Sequence, residues 1–159
     1  MNSKYTTTIK NSGSDTNVII SGMIDEDFKY DDLLGIKGTN INFDFNGITT
    51  INSCGIREWV GLLNKLPVAV NITYENCPQV IIEQLSMVKG FIRDNIKVKS
   101  FFAPYFCEAC DKEVQYLILI NEVQNLKAPK KSCPNCNAED IEFDNIEQQY
   151  FRFITYIKR

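Results

Sequence analysis

The chain opens with a Thr-rich run at residues 5–10 and an apolar run at 17–21 that carries Val18, Ile19 and Ile20. Residues 11–15 between them are a turn of Asn, Ser and Gly, so the pattern predicts an N-terminal hairpin. Residues 22–27 read as a loop, and Phe28, Leu33 and Leu34 fit a short helix after it. Over residues 40–45 the pattern alternates: apolar Ile41, Phe43 and Phe45 against polar Asn42 and Asp44, a strand with one buried face.

From residue 53 the period changes. Ile56, Trp59, Val60, Leu63 and Leu66 recur at helical spacing until Pro67. Residues 68–74 alternate again as a strand. Asn76, Cys77 and Pro78 start another helix, with Val80, Ile81, Leu85 and Val88 as its stripe and Gly90 at its close. Residues 96–106 read as a further strand. Strands interleaved with helices predict an α/β fold, a mixed sheet with helices packed on it. The texture changes near Ala103, which divides the chain into residues 1–102 and a smaller module, 103–159. In that module residues 116–120 are apolar and 126–132 are Lys-rich. Asp144 to Glu147 resembles a capping box. Ile146, Tyr150, Phe153 or Ile154, and Ile157 then fit a C-terminal helix, although their partial alternation leaves a strand open.

Composition narrows the function. The chain has 159 residues, a net charge of -3 and no histidine; its pI is about 5.0. A mildly acidic surface disfavours nucleic acid as the main partner. Without histidine, the commonest general base and a common metal ligand are missing. There is no phosphate-binding glycine loop either, so a non-enzymatic protein is expected. No window is apolar enough for a membrane span, and the N-terminus lacks a signal-peptide core, so a cytoplasmic protein is expected.

Four of the six cysteines form two CxxC pairs, Cys107/Cys110 and Cys133/Cys136. Two thiolates three positions apart on a tight turn can reach one ion, and two such turns complete a tetrahedron. The pairs resemble a zinc ribbon and predict one structural Zn²⁺ per chain, with no open position for catalysis. Redox dithiols usually come singly at a helix start, and cytoplasmic disulfides are uncommon. The remaining two, Cys54 and Cys77, read as small, partly buried packing residues.

Three stretches, GMIDE from Gly22, INFDFNGI from Ile41 and INSCGI from Ile51, together with the element order, resemble the STAS family over about residues 5–102. These are bacterial-type domains of anti-sigma factor antagonists and transporter tails. The resemblance implies a mixed sheet with helices on one side. It also implies a regulatory protein partner of the kinase or anti-sigma kind, and Ser53 as the position that a partner kinase phosphorylates. Cys54 stands where the family has a second Ser, and Asn52 where it has an acidic residue. A transporter role is set aside for want of a membrane segment. The expected partner-binding face gathers the loops at one sheet end, with Gly22, Ile24, Asp25, Asn52, Ser53, Cys54, Gly55 and Asn76. A phosphate at a helix start would sit among unpaired N–H groups and change the surface charge without unfolding the helix. Two readings of Ser53 stay open: a presented binding residue, or only the cap of its helix. On the first, Gly55 admits a partner close to the backbone. The competing function is a nucleic-acid-binding zinc ribbon that uses Lys127, Lys130 and Lys131, with the STAS-like part as scaffold.

Overall fold

The Thr-rich run and the Val-Ile-Ile run do pair. In a computed structural model that describes residues 4–157, β1 (Tyr5–Ser12) and β2 (Asp15–Ile24) form an antiparallel hairpin. A 3₁₀ turn, Asp31–Leu33, replaces the expected short helix and buries Leu33. β3 (Asn40–Ile51) lies parallel to β2 and is longer than its alternating core, because two register shifts carry the pairing on to Ile24 and Ile51. Helix α1 (Ser53–Lys65) leads to β4 (Asn71–Glu75), and α2 (Gln79–Met87) to β5 (Ile96–Val98). The first sheet has the order β1-β2-β3-β4-β5, with only β1 antiparallel to its neighbour. Val68 is 82% exposed: Pro67 opens a turn there, Val70 N–H to Pro67 O at 3.1 Å, so β4 begins three residues later than its apolar pattern suggested.

Alternation sorts the two faces of this sheet. Ile41, Phe43, Phe45, Ile72 and Tyr74 are buried on one face. Trp59 of α1 meets Phe43 and Phe45 edge-on, at ring separations of 4.9 and 5.2 Å. Its indole N–H donates to the Tyr74 hydroxyl at 3.0 Å, and that hydroxyl donates to Phe91 O at 3.1 Å, so neither buried polar group lacks a partner. The opposite face carries side-chain amide bonds across the strands, from Asn71 to Asn40 and from Asn40 to Asp15 at 3.0 and 2.8 Å.

The expected single strand at 96–106 is two strands that meet at Lys99. β6 (Ser100–Cys107) passes beside the first sheet through an isolated bridge to Cys77: Cys77 N–H reaches Ser100 O at 3.2 Å, and Phe102 N–H reaches Cys77 O at 2.8 Å. Along its whole length it pairs with β7 (Lys112–Leu119), and near its end also with the two-residue β8 (Glu142–Phe143), as the centre of a second, antiparallel sheet. The division expected between residues 102 and 103 therefore falls inside β6, and buried apolar residues run as one cluster from Val18 to Ile154.

The C-terminal helix is not one α-helix. α3 (Glu147–Tyr150) gives way to a 3₁₀ turn, Arg152–Tyr156. The reason is the spacing of the side chains to be buried. Tyr150 and Phe153 are three apart, as are Phe151 and Ile154, and all four are buried. Three residues per turn eclipses the members of each pair, whereas an α-helix would set them about 60° apart. Ile146, expected on the stripe, is 58% exposed. Nor does the capping box form, because Glu147 turns its carboxylate to Lys127 and to Ala128 N–H instead.

Phe101 joins the two sheets. Its ring lies 6.0 Å from Phe151 and 5.4 Å from Phe153, and it is fully buried. Phe101→Ala is expected to lower unfolding stability by about 3–5 kcal/mol, read from urea denaturation. A loss below about 1 kcal/mol would show that the junction contributes little to the core.

Candidate metal centre and helix-start surface

Each cysteine pair sits on a tight turn of the same build. Cys107 ends β6 and pairs with Lys112 across the first turn. The second is closed by Cys133 N–H to Ala138 O at 2.8 Å and Asn137 N–H to Cys133 O at 2.9 Å. In both, the residue after the second cysteine takes the left-handed conformation, Asp111 at φ 57 and Asn137 at φ 61. Asp and Asn tolerate that conformation better than other non-glycine residues.

The turns bring all four sulfurs within 4.8 Å of one another. Cys107 and Cys136 Sγ are 3.6 Å apart, as are Cys110 and Cys133 Sγ. A tetrahedron with 2.3 Å metal–sulfur arms has vertices roughly 3.8 Å apart. A disulfide needs about 2.05 Å, and all four thiols are free. The arrangement fits a four-thiolate metal site. Cys107 and Cys133 are buried, Cys110 is half-buried and Cys136 exposed.

The thiols resist ionisation unequally. Burial works against the Cys133 thiolate, but N–H groups of Asn135 and Cys136 point at its sulfur and bring it down to about 6. Burial and the neighbouring sulfurs push Cys110 up to about 12. Four thiolates this close repel one another, and a divalent cation removes that penalty. Outside the cluster, Cys77 is buried as expected, and burial pushes its thiol up. Cys54 is exposed, contrary to its reading as a packing residue, because the first turn of α1 points it away from the sheet.

The Lys-rich loop beside the cluster is largely neutralised from within. Lys127 Nζ lies 2.9 Å from Glu147, and Lys131 Nζ lies 2.8 Å from Glu122 and over the Tyr116 ring at 5.5 Å. These lysines hold both carboxyl groups below their usual range. Lys130 is exposed.

At the start of α1 the cap is Asn52, not Ser53. Asn52 Oδ1 accepts from Gly55 N–H at 2.9 Å, and its amide donates to Glu26 at 3.0 Å. Ser53 and Cys54 are exposed in the first turn. Gly55 is buried against the protein itself: a Cβ there would lie 2.0 Å from Ile24 O. The close approach it permits is to the end of β2, not to a partner.

The rest of the expected face is only partly assembled. Ile24 is 1% exposed and belongs to the core. Asp25 is 3% exposed, accepting from Asp27 N–H at 3.0 Å and pairing with Lys4 at 3.4 Å. Gly22, at φ +93, passes so close to Lys4 O that a Cβ would lie 2.2 Å away, so it serves the hairpin. Asn76 is bound to Asp44 at 3.0 Å and to Ser100 Oγ at 2.9 Å. Asp44 lies seven residues before Ile51 on β3, so the end of β4 stops well short of the end of β3, and Asn76 is not brought beside Ser53. What remains exposed together is Asn52, Ser53, Cys54 and Glu26.

No family model matches the chain, and no curated protein matches it. Among solved structures it is similar to the crystal structure of an anti-sigma factor antagonist from Mycobacterium paratuberculosis. The two share 15% identity over 48% of this chain and 70% of that one, with a TM-score of 0.42. A likeness of that size carries no argument about function.

Glu26 was not foreseen as part of this surface. Its own backbone and the Asn52 amide hold its carboxyl below the usual range. Only the parallel pairing of β2 with β3 brings it to α1, a contact between residues 26 positions apart. The cap assignment is testable. Asn52→Ala is expected to cost about 1 kcal/mol in urea denaturation, and Ser53→Ala less than about 0.5 kcal/mol. The reverse order would return the capping role to Ser53.

Proposed function

We propose that the chain is a non-enzymatic regulatory module that binds a protein partner through the start of α1, with a structural zinc ion in its second sheet. The observation that carries the reading is the exposed Ser53 hydroxyl on the first turn of α1, beside the Asn52–Glu26 pair. In this reading the module is STAS-like and works in the cytoplasm of a bacterium. Its partner is a regulatory protein of the kinase or anti-sigma kind. A phosphate on Ser53 would bring close to two negative charges next to Glu26. The free N–H groups of the first turn would accept that charge, and a partner seated on the unphosphorylated surface would not. The division at residues 102 and 103 is proposed as one of roles: partner binding before it, metal binding after it.

The zinc ligands in this reading are Cys107, Cys110, Cys133 and Cys136. Four thiolates leave no place for substrate or water, so the ion would hold the second sheet together and do no catalysis. A nucleic-acid role is disfavoured because internal carboxylates engage Lys127 and Lys131.

Protein purified without chelator is expected to contain one zinc per chain, and Cys133→Ser to contain none, by metal analysis. Stoichiometric zinc in Cys133→Ser, or no metal in either, would remove the ligand assignment. For the helix-start surface, a partner is first captured with the intact protein. Ser53→Asp is then expected to weaken its binding at least tenfold, about 1.4 kcal/mol, in calorimetry. Melting curves should show its stability within about 1 kcal/mol of the parent. Unchanged affinity would mean that the partner uses another face.

A further inference from the structure

We propose that residues 146–157 are a clasp, held closed by the metal centre over α2 and Phe101, and that loss of the metal opens it. The inference rests on the metal reading above. It comes from where the segment is fastened.

On the cluster side the fastenings are polar and directional. Glu147 accepts from Lys127 Nζ at 2.9 Å and from Ala128 N–H at 3.0 Å, both on the loop that runs into Cys133. Tyr105, in the central strand that ends at Cys107, donates to Pro129 O of the same loop. Ile141 N–H reaches Lys131 O at 3.0 Å and so ties the stretch after Cys136 to that loop as well. The Tyr150 hydroxyl donates to Phe102 O in β6. Phe143 of β8 stacks on Phe151 at 5.1 Å. These contacts all belong to the second sheet or to the loop between the cysteine pairs.

On the α2 side the seam is looser. One side-chain hydrogen bond crosses it, Ser86 Oγ to Tyr150 O at 3.3 Å, among the described residues. Clefts of about 360 and 350 Å³ flank it, the first lined by Glu83, Gln149 and Arg152 among others, the second by Leu85, Val88 and Tyr156 among others. Met87 and Tyr156 at its margin are 71% and 54% exposed.

Neither β8, which leads into the clasp, nor α3, which begins it, can hold itself. A two-residue strand and a single helical turn have little stability of their own. Their positions come from the two cysteine turns and the loop between them, and those from the bound ion. When the ion leaves, the cluster-side fastenings lose their frame, and the loose seam is left to hold Tyr150, Phe151, Phe153 and Ile154. The apolar side of α2 and the Phe101 ring are then uncovered, while α1 and Trp59 keep their own packing. The clasp thus reports metal occupancy to the first sheet.

Hydrogen exchange of the full chain tests this, comparing zinc-loaded protein with protein stripped by chelator under reducing conditions, with metal measured on the same samples. Exchange over residues 146–157 is expected to rise at least tenfold on stripping, with residues 53–65 changed less than twofold. If the metal is shown to be gone and residues 146–157 stay protected, the clasp is overturned while the metal site stands. An equal rise in residues 53–65 would also overturn it, since the whole chain would then have opened. If the protein binds no zinc even when zinc is supplied, the metal reading falls and the clasp with it. Glu147→Gln gives a second check with all four cysteines intact. It is expected to keep one zinc per chain while exchange over residues 146–157 rises at least threefold, and unchanged exchange there would exclude Glu147 as the latch.

Discussion

One extended run of backbone, Ile96 to Cys107, sets the position of nearly everything that matters here. Its first part is the edge of the parallel sheet, its middle pairs with Cys77, and its last residue belongs to the sulfur cluster. Backbone hydrogen bonds fix the strand, so the cluster is held relative to the first sheet through one continuous run of backbone. Phe101 sits at the isolated bridge to Cys77, just past the point where the backbone leaves the first sheet. The C-terminal aromatic residues close over it, and burial of that seam joins the two halves into one core.

Charge explains the second half better than packing does. β8 has two residues, and β7 leaves Leu117 and Leu119 about half exposed, at 45% and 46%. Such a sheet has little hydrophobic support of its own. It has four thiols close enough to repel one another once ionised, and a loop whose lysines are satisfied by Glu122 and Glu147. A cation among the sulfurs would convert the repulsion into a cross-link.

Much of this was legible in the sequence, for identifiable reasons. Alternation located β3 and, three residues early, β4, and helical spacing located α1 and α2, because those elements bury one face against one core. The cysteine pairs were legible because a short turn determines which thiols can meet. Contacts set by tertiary pairing were not. Asn52 rather than Ser53 caps α1, a shift of one residue that depends on where β3 lets go. Gly55 is required by Ile24 O, and Ile24 and Asp25 are buried rather than presented, which only the pairing of β2 and β3 determines. The C-terminal pattern suggested an α-helix, but the segment tightens into a 3₁₀ turn that lines up buried residues three apart.

The four cysteines are proposed to make one metal centre within a single chain. Titrating reduced, metal-free protein with Co²⁺ tests it most directly, since thiolate ligation and tetrahedral geometry both give intense visible absorption. Bands that grow together, saturate at one Co²⁺ per chain and vanish when Zn²⁺ is added are the expected result. Weak octahedral absorption, or saturation at half an equivalent through sharing between two chains, would contradict it.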